Sequence, residues 1–323
     1  MINDVILRSR VRIARNIKDY PFPPVLNDAC RKEIIEKASA CALTHGFNIV
    51  EDISNSAYAL SLYEKNLISR EFATDKELHA LLANKTNETY IMVCEEDHLR
   101  IQSFANGLDL ETAGKNALEC EHILSSKINF AFDSELGYLT RCPTNLGTAM
   151  RASVMMFLPA LTLLNRMGEL KSQLEKIGMT IRGMYGEGSA ADAYIYQISN
   201  RLSLGHSEED LLLKTETVAK QIAADETAAR STLFESNKDK LTDKIMRSYG
   251  VLKYAHIISS KEFLDAFAYV RLGILLGIID GCENFDSLLH EAMPAHILIA
   301  NGEKANNAAT RDILRAKTIK NVL

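Results

Sequence analysis

Between residues 5 and 13 the chain alternates arginine with smaller or apolar residues: Val-Ile-Leu-Arg-Ser-Arg-Val-Arg-Ile. A period of two predicts a strand with Arg8, Arg10 and Arg12 on one face and Ser9, Val11 and Ile13 on the other. Such a face can hold an anion, or it can be a solvated edge that uses charge against aggregation. Asn27 then caps a helix whose apolar positions include Ile34, Ile35, Ala38 and Ala42. Residues 50–88 are polar and mixed, and read as loop and short helix. Thr89 to Ile101 begins as a strand. Continued with period two, it puts Cys94, Glu96, His98 and Arg100 on one side. Groups of this kind are costly to bury unless they serve a ligand, and the alternative is a solvent-facing surface with an internal ion pair.

A helix is predicted around Glu111 to Leu124. Pro143, Asn145 and Gly147 then mark a turn between two extended segments. Cys142 enters that turn and Arg151 leaves it. Leu161 to Ile177 reads as helix, Met179 to Met184 as strand, and Tyr185-Gly-Glu-Gly188 as a tight loop presenting a carboxylate. A glycine-rich loop by itself says little about phosphate binding. Tyr194 to Ser203 returns to a strand pattern. Ser207-Glu-Glu-Asp210 carries a capping-box signal for a long helix. Its stripe runs through Leu211, Val218, Ile222, Ala229 and Leu233, interrupted by Thr215 and Asp225, which predicts incomplete burial. The polar run Ser236 to Lys240 is a candidate boundary. Beyond it the chain reads as helical, with stripes in Phe263 to Ile279 and Asn307 to Val322.

These patterns describe a globular chain of 323 residues, 47% hydrophobic and 24% charged. The length accommodates one large domain and a smaller one. The net charge is −5, so no global basic field points to nucleic acid. No apolar run is long enough to span a bilayer, and Met1-Ile-Asn-Asp-Val-Ile has no signal-peptide pattern, which makes cytoplasm the default compartment. The six cysteines (Cys30, Cys41, Cys94, Cys120, Cys142 and Cys282) are scattered without a Cys-x-x-Cys pair. Neither a disulfide framework nor a zinc site is expected.

Four segments, taken in order, change the picture: Ser9-Arg-Val-Arg12, Glu95-Glu-Asp-His-Leu-Arg100, Cys142-Pro-Thr-Asn-Leu-Gly-Thr148 with Arg151, and Arg182-Gly-Met-Tyr-Gly-Glu187. Together they resemble the signature blocks of the phosphagen kinases, the creatine and arginine kinases, and are most similar to their bacterial protein-arginine kinase branch. The resemblance covers nearly the whole chain. Arg311-Asp-Ile-Leu-Arg-Ala316 is similar to a motif of the bacterial branch that forms a phosphoarginine pocket supporting allosteric activation and dimer contacts. Arg311 and Arg315 are four apart, so on a helix they share a face and could grip one phosphate; the alternative is an exposed charged face with Asp312 as ion-pair partner.

The resemblance implies an α/β (α+β) catalytic domain over residues 1–236, with a largely antiparallel sheet flanked by helices. A helical phosphoarginine-binding and dimerisation domain would follow over 237–323. It implies ATP with Mg²⁺ as phosphoryl donor and arginine side chains of proteins as acceptors. Partners would be stress-response repressors and unfolded proteins as targets, a Clp ATPase that reads the mark, a zinc-finger activator protein, and a second copy of the chain.

Arg10, Arg12, Arg100, Arg151 and Arg182 would clamp the phosphates, because a planar guanidinium binds phosphate oxygens bidentately and stays charged. Ser9, Val11, Asn66, Ala152, Ser153, Val154, Met155, Gly183, Met184, Tyr185, Gly186 and Glu187 complete the implied nucleotide site. Glu96 and Glu187 would orient the acceptor guanidinium and accept its proton, with Cys142 tuning beside them. Mg²⁺ would bridge phosphate oxygens and keep several waters, so no dedicated metal cage is expected. A kinase for free arginine and a non-catalytic phosphoarginine-binding adaptor are the alternatives. The chain departs from the family at several positions. Arg8 and Arg141 replace serine, Ala149-Met150 replaces Gly-Leu, and Asn66 and Phe157 stand where the family has histidine. These bear on nucleotide affinity and regulation more than on the chemistry.

Overall fold

The arginine-bearing segment forms β1 (Ile6–Arg15), and it lies in the middle of a sheet. It pairs antiparallel with β5 (Leu99–Asn106) on one side and β8 (Met150–Phe157) on the other, so it is not an edge strand. The computed structural model describes the whole chain except Met1, Asp52, Ser54, Asn55, residues 186–191 and Asn306, and except the side chains of Ile2, Asn3 and Glu303.

Outward from β5 come β4 (Thr89–Val93), β3 (Ala80–Asn84) and β2 (Asn48–Val50). Outward from β8 come β10 (Ile195–Asn200) and β9 (Met179–Gly183). All seven pairings in this eight-stranded sheet are antiparallel. A small hairpin, β6 (Phe132–Asp133) and β7 (Gly137–Tyr138), stands apart. The fold class implied by the resemblance is therefore the one observed.

Register decides which side chains share a face. Arg12 sits opposite Gln102 on β5 and Arg151 on β8. The alternate residues Val11, Ile13, Ile101, Ala152, Val154 and Ile198 turn to the other face and are fully buried. That second face is the main core. It is covered by α2 (Asp28–Ala42), α5 (Leu110–Ser125) and α8 (Glu208–Tyr254), the last lying on β8 and β10. Asn27 caps α2 by accepting from the Cys30 amide, as its sequence position predicts. The arginine face is closed at the β3–β4 end by a smaller core. There Leu62, Ile68 and Phe72 from α3 (Ala57–Glu64), α4 (Arg70–Thr74) and their connection pack on Leu81, Met92 and Phe104.

Several expectations need correcting. The stretch 50–88 holds β3, a strand with no clear alternation because Leu81 and Leu82 are both buried, one on each face. Thr89 to Ile101 is not one strand. It breaks into the β4–β5 hairpin, with Cys94 at φ 63 and its amide donating to the His98 carbonyl. The helix expected over Leu161 to Ile177 is two, α6 (Pro159–Leu163) and α7 (Met167–Lys176), separated by Asn165 at φ 56. The capping box of α8 is present, but Thr215 does not interrupt its burial. Thr215 is fully buried, with its hydroxyl donating to the Leu211 carbonyl, while Asp225 is exposed. The same stripe hides Glu226, whose carboxylate accepts from the Ala160 and Leu161 amides and from Arg230.

Helix α8 runs past the polar stretch at 236–240 with non-helical torsions only at Asn237. The rest of the chain is helical: α9 (Ser260–Leu275), α10 (Leu288–Glu291), α11 (Pro294–Asn301) and α12 (Ala308–Lys320), with α1 (Ile2–Val5) packed on α8. Arg271 of α9 joins the two ends of the chain. It donates to the Asp4 carbonyl, pairs with Asp286 and stacks 4.5 Å above the Phe157 ring.

Candidate active site

The open centre of the arginine face is a cavity of about 1060 Å³. Five strands supply its floor: Arg100 and Gln102 from β5, Arg10 and Arg12 from β1, Arg151 from β8, Gln197 from β10 and Arg182 from β9. Antiparallel register alone brings these distant residues together, because directly opposed side chains lie on one face about 5 Å apart at Cβ. One wall is the connection from Tyr63 to Asp75, held to the floor by Gln102, whose amide donates to the Leu67 carbonyl at 3.1 Å. The other wall is the turn Arg141–Asn145, where Asn145 accepts from Arg12 at 3.2 Å.

The acidic motif at 95–100 divides its labour residue by residue. Glu95 takes both carboxylate oxygens to Arg100 Nη1 at 2.6 Å and accepts from the Ser69 hydroxyl at 2.7 Å. Burial alone would raise its pKa, but Arg100, Ser69 and the Glu96 amide outweigh that and hold it at about 2. Glu96 lines the cavity, half-buried, and among the described residues nothing bonds its carboxylate. Asp97 is buried and binds the Asn16 amide group and the Arg141 amide, which fixes the wall that carries Cys142. His98 does not face the cavity. It is fully buried, accepting from the Ile17 amide at Nδ1 and donating from Nε2 to the Pro21 carbonyl, with its pKa lowered by burial. The shared face expected for Cys94, Glu96, His98 and Arg100 is lost because the hairpin turn resets the alternation. Cys94 is buried, and burial pushes its thiol up to about 12.

The arginines are under electrostatic pressure. Burial, then Arg100 and Arg151, lower the Arg10 pKa to about 9, and the same causes push Arg12 well below its usual value. A guanidinium keeps its proton at neutral pH, so this depression measures the cost of burying charge, with like-charge repulsion added, rather than a neutral arginine. Arg100 is the exception. Burial opposes its charge, but the Glu95 carboxylate more than offsets this and raises its pKa. Among the described residues, the buried Nε atoms of Arg12 and Arg100, with Asn66 Nδ2 and Tyr185 Oη, have no hydrogen-bond partner. Unpaired buried donors on a strained cationic floor fit a polyanion such as a nucleoside triphosphate.

Of the residues implied by resemblance, the structure brings Arg10, Arg12, Asn66, Glu96, Arg100, Cys142, Arg151, Arg182, Met184 and Tyr185 to the cavity. It does not bring the side chains of Ser9, Val11, Ala152 and Val154 there, because strand alternation turns them into the opposite core; Ser9 instead binds the Gly107 carbonyl and the Asp109 amide. Ser153 and Met155 share the arginine face but do not line the cavity, and neither does Gly183. Gly186 and Glu187 lie outside the described residues. Cys142 is half-buried, with its Sγ 3.0 Å from Thr144 Oγ1. Phe157, in the place of a family histidine, is buried beneath Arg271 and away from the cavity. Ala149, in the place of a glycine, holds φ 52, a conformation that costs a non-glycine residue roughly 1 kcal/mol or more.

The C-terminal motif does not form an open two-arginine fork. Arg315 is 1 % exposed and donates to the Ala292 and Ile258 carbonyls and to Asp312. Ala316 is buried beside it, and Arg311 donates to the Ala305 carbonyl. Arg315 therefore fastens α12 to the chain before α9 and before α11.

Sequence reasoning missed Glu95, Ser69, Gln102 and Asn145. For Glu95 a signal existed, since two adjacent carboxylates precede Arg100, but no pattern says which one the arginine takes.

Residues 32–229 match the ATP:guanido phosphotransferase C-terminal catalytic domain, and residues 238–323 match the protein-arginine kinase McsB C-terminal domain. The chain belongs to the ATP:guanido phosphotransferase family. Within it, the curated relatives it resembles are protein-arginine kinases. One from Caldanaerobacter subterraneus is 38% identical, covering 99% of this chain and 97% of its own. One from Clostridium acetobutylicum is 40% identical, with 86% and 84% covered. Among solved structures, the duplicated taurocyamine kinase from Schistosoma mansoni with bound transition-state-analogue components superposes with a TM-score of 0.61 at 25% identity. That match covers 76% of this chain but only 37% of the duplicated one. Lombricine kinase gives a TM-score of 0.61 at 21% identity, over 72% and 69%, which is a likeness of fold.

Acid titration tests the Glu95 assignment. The Glu95 pKa is lowered in the folded state, so its stabilisation is complete above the unfolded value near 4.5 and is lost as pH falls towards 2. The contribution at neutral pH is on the order of 3 kcal/mol. Glu95→Gln is expected to flatten the stability curve between these limits, measured by urea unfolding at each pH. An unchanged acid limb would count against the assignment.

Proposed function

We propose that the chain transfers the γ-phosphoryl group of ATP to the guanidino nitrogen of arginine side chains in proteins. The observation that carries this is the convergence of five arginines on one strained sheet face, with the Glu96 carboxylate beside them. Phosphoryl transfer needs in-line positioning and neutralisation of charge on the moving group, and little covalent help. Arg10, Arg12, Arg100, Arg151 and Arg182 bind the phosphates of the nucleotide substrate, which arrives with its divalent cation and the further charge neutralisation that ion supplies. Like-charge repulsion among these arginines is relieved when that polyanion binds, which favours binding.

Glu96 orients the acceptor and takes its proton. A guanidinium nitrogen is a poor nucleophile while its lone pair is delocalised, and a carboxylate at hydrogen-bond distance both aligns it and removes the proton as the N–P bond forms. Glu187, by resemblance, is the second carboxylate. The matched C-terminal domain favours a protein acceptor over free arginine. Marking of unfolded proteins for a Clp ATPase, a zinc-finger activator, cytoplasmic location and a homodimer belong to the same proposal.

Incubation with ATP, Mg²⁺ and either free arginine or an arginine-rich unfolded protein separates the readings. Acid-labile phosphate on protein arginines, seen by mass spectrometry at neutral pH, is the expected result. Label on free arginine alone would make this a small-guanidine kinase. Label on neither calls for a zinc-finger activator protein: label that then appears marks a kinase waiting for its activator, and none marks a binding protein.

A further inference from the structure

Ser69 is not among the residues that the family resemblance marks, yet it holds two elements of the cavity at once. It is the N-cap of α4, its hydroxyl oxygen accepting from the Phe72 amide at 3.1 Å. The same hydroxyl donates to Glu95 Oε1 at 2.7 Å, and Glu95 holds Arg100 through both oxygens. A hydroxyl has one proton to give, so its bond to a carboxylate is directional and the capping bond uses a lone pair. Helix α4 and its C-cap bring Arg70, Glu71 and Asp75 to the cavity wall. The floor at Arg100 and the α4 wall are thus joined through three side chains, Arg100, Glu95 and Ser69.

We propose that Ser69 is a positioning residue. Through the chain Arg100–Glu95–Ser69 it sets α4, and with it the acidic acceptor wall, to the position of the phosphate-binding arginine. The inference rests on the reading of the cavity as a phosphoryl-transfer site. It deepens that reading by assigning the α4 wall to recognition of the cationic acceptor. The chemistry of the wall agrees, since Glu71 and Asp75 outnumber Arg70 among its charged residues on the cavity, and the net negative charge attracts a guanidinium rather than a nucleotide. Glu95 is kept ionised by its partners, with its pKa held at about 2, so the link persists at every pH at which a kinase would work.

Two measurements test this. The first is hydrogen exchange of the α4 amides, residues 70–74, with and without ADP, alongside calorimetry of ADP binding. In the wild type, bound ADP is expected to slow their exchange at least threefold. In Ser69→Ala the ADP affinity is expected to stay within about threefold while that added protection disappears. ADP binding without any change in α4 would overturn the proposal, and absence of ADP binding by calorimetry would overturn it together with the reading of the cavity.

The second is kinetic. Ser69→Ala is expected to raise KM for an arginine-containing protein about tenfold with a smaller effect on KM for ATP, and Ser69→Thr to restore it. A cap alone would lower thermal stability and leave both KM values unmoved. The double variant Ser69→Ala/Glu95→Gln closes the argument. Residues acting through one chain give non-additive effects, so the double variant is expected to be little worse than the poorer single one. Strict additivity in kcat/KM, or full activity in Ser69→Ala, would show that Ser69 only caps its helix.

Discussion

Glu96→Gln is expected to lower the rate of arginine phosphorylation by roughly 10²–10⁴-fold, the usual contribution of a positioned general base. Glutamine keeps the shape and one hydrogen-bond acceptor but cannot take the acceptor's proton. Glu96 lines the cavity, and among the described residues nothing bonds its carboxylate, so the change leaves no internal partner stranded. ADP affinity should therefore remain within a few-fold of wild type, and the loss should appear in kcat. Glu95→Gln acts differently. It loosens Arg100 and the acid-side stability before it touches proton transfer. Rates from the two variants, with calorimetric nucleotide affinity beside them, separate the roles. If Glu96→Gln costs less than tenfold while Glu95→Gln abolishes transfer, the two carboxylates have been assigned the wrong way round.

Arg12→Met should weaken nucleotide binding while leaving the protein, measured without added nucleotide, at least as stable. Arg12 is 6 % exposed and opposed by Arg151 on the adjacent strand, and burial with its cationic neighbours depresses its pKa. Methionine has comparable length, fills the same groove and removes one buried charge. Removal of a buried charge among like charges is stabilising, although the Asn145 oxygen loses its donor and offsets part of the gain. A charge-assisted bond to phosphate contributes about 1.5–3 kcal/mol, so the Kd for ATP is expected to rise roughly 10- to 100-fold. Thermal unfolding without ligand and calorimetry with ATP give the two halves. A lower melting temperature together with unchanged ATP affinity would mean that Arg12 supports the fold rather than the ligand.

What could be read along the chain follows the range of the interactions involved. Helix caps at Asn27 and Ser207, and the strand pattern of residues 5–13, depend on neighbours within a few positions, and the structure shows them as expected. Strand β3 escaped because both faces of the sheet are covered there. With Leu81 and Leu82 both buried, no alternation survives for a periodicity argument to find. The hairpin at Cys94–His98 escaped because alternation continues through a turn on paper. Only the pairing of Val93 with Leu99 reveals where the chain reverses.

The site divides in the same way. Sequence by itself determined the residue types, their order along the chain and, through family membership, the class of reaction, phosphoryl transfer to a guanidino group. Tertiary structure decided which of them meet. Register across five strands places Arg10, Arg12, Arg100, Arg151 and Arg182 on one floor and sends Ser9, Val11, Ala152 and Val154 into the core. It gives Glu95 to Arg100 and Ser69, and it buries Arg315 among carbonyls where helical spacing alone offers a phosphate fork. The reason is physical. Spacing along one element fixes a direction relative to that element, but whether the direction leads to solvent, a ligand or another backbone depends on residues far away in the chain.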